Sequence, residues 1–208
     1  STYTLNQSIT VSGTCFNINA SNVTLDGAGF NITGDGSGVG VWNRGYANVT
    51  IKSFKSIASF DIGINLTSVV ANEVYNNTVN GGGTNKHAIT LTGPWTALST
   101  TSSLRNNTIV SGSGAGETFG KGIFVDGANT SNITENSITA TSQLSIGIDI
   151  DGGSVGAGAL IVSRNSITLQ SSLSNGVRLR DEEGTKIVEN NVTMIQDSAV
   201  VSTTYGGV

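Results

Sequence analysis

One short pattern recurs five times along the chain and constrains the fold more than any other feature of the sequence. It occurs in VYNNTV (74–79), LRNNTI (104–109), ITENSI (133–138), VSRNSI (162–167) and IVENNV (187–192). Each segment places an apolar residue three positions before an asparagine, and successive anchors are 30, 29, 29 and 25 residues apart. A period of this length indicates a solenoid, in which each unit completes its core only by stacking on its neighbours.

A second pattern, in which apolar residues alternate with small or polar ones, lies between these segments. It occurs in GVGVWNR (38–44), GINLTS (63–68), AITLTG (88–93), GIFVDG (122–127), GIDIDG (147–152) and GVRLRD (176–181). Strict alternation predicts strands with one buried face. The composition agrees, because 52 Ser and Thr, 28 Gly and a single Pro favour strands and turns over helices.

Together the two patterns predict one all-β domain over residues 1–208. We expect a right-handed, single-stranded parallel β-helix of about seven to eight rungs, with equivalent residues about 4.8 Å apart in neighbouring rungs. A leucine-rich repeat is excluded because its Leu-x-x-Leu-x-Leu pattern is absent. Propeller blades are excluded because each would need about 40 residues.

The recurring asparagines are interpreted as structural. A solenoid repeats the same bend in every rung, and an asparagine there tolerates left-handed backbone geometry and can bond to the asparagine of the next rung. The predicted ladder consists of Asn77, Asn107, Asn136, Asn165 and Asn190.

Stacking the alternating strands also brings charged residues into two outward columns. One column runs through Trp42, Asn65, Thr90, Phe124, Asp149 and Arg178, and the next contains Asp126, Asp151 and Arg180. The predicted patch is therefore Asp126, Asp149, Asp151, Arg178 and Arg180.

Three interpretations of this patch stay open. The favoured one is a surface salt-bridge ladder without catalysis. The second is a cation site, for which Ca²⁺ would suit carboxylate ligands, although no metal site or cofactor is expected. The third is glycoside chemistry, in which repulsion between two close carboxylates raises the pKa of one, so that it serves as the acid beside an ionised base.

Several segments carry a resemblance to a known group. SGTCFNINASNVTLDGAGFNITG (12–34) and the later NNTI and ENSI units resemble the parallel β-helix repeats of the carbohydrate-binding and sugar-hydrolase group. That group includes the periplasmic nitrous-oxide-reductase maturation type and surface β-helix proteins of archaea and bacteria. The resemblance covers nearly the whole chain and implies the fold, whereas the group contains lyases, hydrolases, epimerases, adhesins and structural proteins.

Two functions of related proteins are not expected to carry over. Copper binding, associated with the maturation type, lacks ligands here, because His87, Cys15 and Met194 lie at unrelated places. NGVRLRD (175–181) is similar to the Asn-Gly-Val-Arg-Ile-Lys segment of polygalacturonases, but the Gly-His-Gly segment of that family is absent.

Charge and hydropathy limit the partners. The net charge is −4 and basic residues form no long run, so neither nucleic acid nor an anionic membrane is an expected partner. No apolar run approaches the roughly 20 residues that span a bilayer.

Asparagine glycosylation motifs are abundant and favour an extracellular or cell-surface protein carrying glycans. They lie at Asn6, Asn19, Asn22, Asn31, Asn48, Asn65, Asn76, Asn106, Asn129, Asn132 and Asn191. Alternation alone also produces such motifs, because asparagine suits turns and threonine suits strands.

The chain is expected to begin in strand, in STYTLNQSITV (1–11), and to finish in strand, in SAVVSTTYGGV (198–208). Uncapped ends would indicate either a fragment or subunits that stack head to tail. Regular ice-binding Thr-x-Thr rows are not expected, because only Thr90 and Thr92 fit.

The predicted function is a non-enzymatic structural protein, a surface or filament subunit, and the alternative is a polysaccharide-binding or polysaccharide-cleaving module that uses the charged patch.

Overall fold

The computed structural model describes ten stretches of the chain. They are residues 1–67, 71–81, 87–93, 102–112, 120–127, 131–142, 144–152, 160–170, 174–181 and 184–195. Every regular element within them is a β-strand, and the 23 strands form three parallel sheets. The predicted terminal strand at 198–208 lies outside the described residues.

The first sheet contains β1 (Thr2–Thr4), β4 (Thr24–Asp26), β7 (Thr50–Lys52), β10 (Glu73–Tyr75), β13 (Ser102–Arg105), β16 (Ser131–Thr134), β19 (Ile161–Ser163) and β22 (Lys186–Val188). The second contains β2 (Ile9–Thr10), β5 (Asn31–Thr33), β8 (Ser56–Phe60), β11 (Thr78–Gly81), β14 (Thr108–Ser111), β17 (Ser137–Ala140), β20 (Ser166–Leu169) and β23 (Asn191–Met194). The third contains β3 (Phe16–Ile18), β6 (Val39–Arg44), β9 (Ile62–Thr67), β12 (His87–Thr92), β15 (Lys121–Asp126), β18 (Ile146–Asp151) and β21 (Asn175–Arg180).

Every third strand belongs to the same sheet, so the chain coils as a β-solenoid. The predicted all-β parallel solenoid is therefore confirmed. The seven strands of the third sheet are separated by six turns of the chain, slightly fewer than the seven to eight rungs predicted. The alternating segments of the sequence form the six-residue strands β6, β9, β12, β15, β18 and β21 of this sheet.

The core consists of apolar columns that run through the centre of the coil. One of them is Leu25, Ile51, Val74, Leu104, Ile133 and Val162, all buried. Burying each such side chain contributes roughly 1.5–3 kcal/mol, and no rung could bury its own side chains without the rungs beside it.

Glycines at the start of the alternating segments allow the backbone of neighbouring rungs to approach closely. A Cβ added to Gly122 would lie 2.6 Å from the carbonyl oxygen of Gly147, and one added to Gly147 would lie 2.6 Å from that of Gly176. A side chain at either glycine would meet the carbonyl of the next rung, which explains why glycine recurs in this column, where β12 alone among β9, β12, β15, β18 and β21 has an alanine, Ala88.

The five recurring asparagines stack and form a continuous hydrogen-bonded ladder. The backbone N–H and Nδ2 of Asn107 both donate to Oδ1 of Asn136, each at 3.0 Å. Nδ2 of Asn107 also donates to the backbone carbonyls of Val74 at 2.9 Å and Arg105 at 3.1 Å. Equivalent bonds join Asn77 to Asn107, Asn136 to Asn165 and Asn165 to Asn190.

The left-handed backbone expected of these asparagines is found one residue earlier. The residues directly before the five ladder asparagines all have positive φ: Asn76 (54°), Asn106 (54°), Glu135 (58°), Arg164 (54°) and Glu189 (56°). The bend between the first and second sheets is therefore made by the residue before each ladder asparagine. The asparagine that follows is buried in the first four cases and half-buried at Asn190, and its amide satisfies the carbonyls that the bend leaves without a strand partner.

We expect Asn107→Ala to lower the free energy of unfolding by about 2–4 kcal/mol, because it leaves amide donors of Asn77 and the carbonyl of Val74 buried without partners. Chemical denaturation followed by circular dichroism measures the change. Asn80→Ala is the matched control, since Asn80 donates only one 3.4 Å bond, to Ser56, and should cost less than about 0.5 kcal/mol. Equal losses of unfolding free energy in the two variants would contradict a stabilising role for the ladder.

Candidate functional site

The outward face of the third sheet brings together all five residues of the predicted patch. Phe124, Asp149 and Arg178 occupy one column of paired positions on β15, β18 and β21. Asp126, Asp151 and Arg180 occupy the next column on the same strands. Both columns run along the stack as the alternation of the sequence predicts.

Asp149 is the centre of the patch. Arg178 binds it with two bonds, from Nε to Oδ1 and from Nη2 to Oδ2, each 2.8 Å long. The ammonium of Lys121 lies 2.7 Å from Oδ2, and the guanidinium of Arg180 lies 3.5 Å from the same oxygen. The Asp149 side chain has no exposed surface. The pairs expected of a salt-bridge ladder, Arg178 with Asp149 and Arg180 with Asp151, are present. Asp149 differs from an exposed surface pair in being buried, because the long cationic side chains of neighbouring rungs help to cover this outward-pointing carboxylate.

These contacts fix the charge of Asp149. Burial alone would raise the pKa of its carboxyl, but the hydrogen bonds and charges of Arg178 and Lys121 outweigh burial and hold the pKa below its ordinary value. The bond to Asp149 in turn raises the pKa of Arg178. Asp149 is thus a permanently ionised anchor for three cations at neutral pH, and it is unsuited to donate a proton in a reaction.

The other two carboxylates differ from Asp149 and from each other. Asp151 pairs with Arg180 at 2.7 Å. The pKa of Asp126 is raised, first by burial and second by the charge of Asp151, against an opposing effect of Lys121 and Arg180. Repulsion between the two carboxylates therefore acts as predicted, although burial is the larger cause.

Lys121 is the member of the patch that sequence analysis missed. Its ammonium lies against Asp149 and 3.5 Å from the ring centroid of Phe124, a cation–π contact. The alternating pattern was matched from Gly122 onward, whereas β15 begins one residue earlier. The position of Lys121 directly before the glycine that opens the alternating segment could have indicated that it belongs to the same strand.

The rest of the same face extends from two to four rungs away from Asp149. Trp42 stacks under the guanidinium of Arg44 at 3.9 Å and donates from Nε1 to Thr67 at 3.3 Å. Between Trp42 and Phe124 the column holds Asn65 and Thr90. Thr90 is only 6% exposed, and neither its Oγ1 nor Oδ1 of Asn65 has a hydrogen-bond partner. These two buried acceptors face the same outward side as the aromatic rings.

Metal ligation has limited side-chain support in the part of the chain that the structure describes. Within it, no three side chains of His, Cys, Asp or Glu converge on one point. Asp126 and Asp151 are adjacent, but two carboxylates supply at most about four of the six to eight oxygen ligands that Ca²⁺ takes.

The glycosylation motifs fall mainly on exposed asparagines. Exposed are Asn6, Asn19, Asn22, Asn48, Asn76, Asn106 and Asn191, half-buried are Asn31, Asn65 and Asn132, and Asn129 lies outside the described residues. Four of the exposed ones, Asn22, Asn48, Asn76 and Asn106, have positive φ at the corners of the coil. Asparagine suits this left-handed backbone, although Glu135, Arg164 and Glu189 occupy the equivalent bends of later rungs, and threonine suits the strand that follows. These four motifs therefore also have a structural explanation.

Comparison with known proteins places the chain in no established group. No protein-family model, curated protein or solved structure matches it. The described residues also contain no helix long and apolar enough to cross a membrane. The solenoid is therefore supported by the repeat pattern and the sheet topology, without a known relative. The likeness to carbohydrate-binding repeats remains a sequence-based proposal.

We expect Asp149→Asn to lower the free energy of unfolding at pH 7 by about 3 kcal/mol, because it leaves three cations without their shared anion. Asp126→Asn is the matched control on the same face. Since the fold disfavours ionisation of Asp126, this variant should be as stable as the wild type or more stable at pH 7.

The same two groups set opposite pH dependences, and acid denaturation separates them. The folded-state pKa of Asp149 is lowered, so its contribution is complete above the unfolded value of about 3.9 and is lost as the pH falls through the folded pKa. The folded-state pKa of Asp126 is raised, so any advantage of Asp126→Asn should disappear as the pH falls through and below that pKa. Parallel pH profiles for the two variants would contradict these assignments.

Proposed function

We propose that the protein is a non-enzymatic structural solenoid whose copies associate head to tail, as an extracellular surface or filament subunit. The observation that carries the proposal is the solvent exposure of one apolar core column at its two ends. Among the described residues, its inner members are buried, whereas the member nearest the start, Tyr3, is 60% exposed and the member nearest the end, Ile187, is 44% exposed. Each exposed side chain occupies the position that another rung would cover.

The two ends of the described solenoid offer complementary surfaces. At one end, β22 and β23 are the outermost strands of their sheets and carry the exposed apolar residues Ile187, Val192 and Ile195. At the other, a cavity of about 340 Å³ is lined mainly by apolar residues of the first two rungs, among them Phe16 and Leu25, together with Asn17 and Asn19. Both ends present parallel strand edges that run in the same direction, so one copy can extend the sheets of the next. Such a contact is heterologous and propagates into a fibre.

The extracellular setting belongs to the same proposal and is argued from the glycosylation motifs. Seven motif asparagines are exposed. Because corner geometry accounts for four of them, the argument for attached glycans depends on Asn6, Asn19 and Asn191. Glycans at these positions would solubilise an assembled fibre without entering its core.

We expect Ile187→Lys to abolish concentration-dependent assembly, because it places a charge in the core column at the contact. Val188→Lys is the control, since Val188 is equally exposed at 45% but points outward beside Ile187. Sedimentation velocity and negative-stain microscopy provide the measurement. A wild-type chain that stays monomeric at every concentration, or equal assembly by both variants, would overturn the proposal.

A second candidate function is polysaccharide binding on the third sheet, and one observation favours it. Two buried oxygens without partners, on Asn65 and Thr90, lie between the rings of Trp42 and Phe124, which are three rungs or about 14 Å apart. A sugar that displaces Arg44 from Trp42 and Lys121 from Phe124 would gain two flat apolar surfaces, and its hydroxyls would supply the missing hydrogen bonds. Asp126 lies one rung beyond Thr92 and Asp151 lies two rungs beyond it. A polysaccharide chain bound along this face would therefore also contact the two carboxylates.

We expect Trp42→Ala to weaken binding of neutral oligosaccharides by about tenfold or more, corresponding to about 1.4 kcal/mol for the loss of one ring surface. Isothermal titration against a panel of oligosaccharides provides the measurement. Tyr75→Ala is the control, because Tyr75 also stacks with an arginine, Arg105 at 4.1 Å, but lies on the first sheet. Release of reducing or unsaturated sugars that Asp151→Asn abolishes would extend the function to cleavage, and identical affinities of both aromatic variants would exclude this face.

A further inference from the structure

The asparagine ladder ends at Asn190 with a hydrogen-bond donor left over. Asn190 donates from Nδ2 to the backbone carbonyls of Val162 at 2.8 Å and Val188 at 3.2 Å. Each of the four earlier ladder members also donates from its backbone N–H to Oδ1 of the next asparagine. Asn190 has no such acceptor in the described part of the chain, so a further rung would have to supply it.

Asn6 holds the corresponding position in the first rung. It lies two residues after Thr4, the last residue of β1, as Asn190 lies two residues after Val188, the last residue of β22. Asn6 is exposed and makes no hydrogen bond with the described residues. The backbone at Leu5 is not left-handed, unlike that at the residues before the ladder asparagines, so its own chain does not fix Asn6 in the corner.

The corner that contains Asn6 has a close equivalent inside the coil. Counted between equivalent positions of the first and second sheets, the corner over residues 4–9 is one residue longer than the ladder corners, as is the corner over residues 52–57. In the inner corner, Phe54 is two residues after its strand, and its backbone N–H donates to Oδ1 of Asn77 at 3.1 Å. Counting from the first sheet therefore gives the ladder position in a corner of this length, and that position is Asn6.

A three-sided coil can stack on a copy of itself in three orientations about its axis. One orientation places Asn6 of the next copy beside Asn190. The other two would place Ser12 or Ala20 there, because these residues lie two positions after β2 and β3. The hydroxyl of Ser12 already donates to Asp35 at 2.6 Å, and Ala20 has no polar side chain. Only the first orientation therefore offers Asn190 an unused amide.

The same orientation continues the apolar columns of the core. Ile187 and Tyr3 are the two end members of one column, and Val192 and Ile9 are the end members of another. Tyr3 also lines the apolar cavity at its end of the coil, where Ile187 of a neighbouring copy would enter. No side chain of residues 1–25 is charged, so the cations at the other end of the coil would meet no like charge.

We propose that copies stack in this one orientation, with the backbone N–H of Asn190 donating to Oδ1 of Asn6 in the next copy; the inference rests on the head-to-tail association proposed above. In return, Nδ2 of Asn6 donates to the carbonyl of Ile187, as Nδ2 of Asn190 donates to that of Val162. Apolar contacts are non-directional, so it is the ladder that selects one orientation of the three. A glycan on Asn6 would block this contact, so Asn6 carries none in an assembled fibre.

Cysteine cross-linking measures the orientation directly. Thr2 of one copy adjoins Lys186 of the next, because both lie in one outward column of the first sheet. Within one chain they are seven strand spacings apart, about 34 Å, so Thr2→Cys/Lys186→Cys forms a disulfide only between copies. Thr2→Cys/Asn191→Cys is the matched control, since Asn191 lies on the second sheet and adjoins Thr2 only in a rotated stack. Both are made in a Cys15→Ser background and oxidised with copper phenanthroline.

Asn6→Ala measures what the ladder contributes to the contact. We expect the concentration needed for assembly, followed by sedimentation velocity, to rise about threefold to tenfold, the effect of losing one net hydrogen bond. Asn80→Ala is the control, because Asn80 lies on β11 in the middle of the coil and should leave assembly unchanged. Circular dichroism first shows that each variant is folded.

Disulfide-linked oligomers should form with the Thr2 and Lys186 pair and not with the control pair. If that double variant does not fold, Thr4→Cys/Val188→Cys tests the same orientation. A wild type that assembles while both pairs cross-link equally, or while Asn6→Ala assembles as well as Asn80→Ala, overturns the ladder contact and leaves head-to-tail association standing. A wild type that stays monomeric overturns both.

Discussion

Every rung of this protein is held in place by the rungs before and after it, because hydrogen bonds between parallel strands run only along the stack. An inward polar group in such a coil must find its partner directly above or below it. The ladder from Asn77 to Asn190 meets this requirement by passing each amide to the next rung. A slip of one residue would break the ladder and turn the apolar columns outward, so both features specify the same register.

The same stacking determines how charge is distributed over the surface. Equivalent side chains in neighbouring rungs lie about 4.8 Å apart, so opposite charges in one column attract and like charges repel. The first sheet uses this spacing for isolated pairs such as Asp26 with Lys52. The third concentrates three cations around Asp149, and the second excludes charge from its outward columns. Three faces of one coil thus acquire separate chemistries, and a ligand for one face need not affect the others.

Sequence alone was sufficient for the fold, the strand positions of the third sheet and the columns of the charged patch, because one period relates all of them. It was insufficient wherever an outcome depended on what neighbouring side chains cover. Alternation places Asp149 outward, but only coordinates show that Lys121 and Arg178 close over it. The sequence also placed the left-handed residue one position too late. Asn76 and Asn77 are both asparagines, and residue type alone does not show that Asn76 makes the bend and Asn77 the ladder.

The recurring corner has a consequence for how such chains change length. Ladder asparagines 29 residues apart, such as Asn107 and Asn136, follow left-handed residues with φ of 54° and 58°. Removing or duplicating the segment between two of them would join backbone of the same conformation and leave each sheet one strand shorter or longer. A gene encoding this solenoid can therefore gain or lose whole turns by recombination between repeats, with reach along the axis changing and the character of each face preserved.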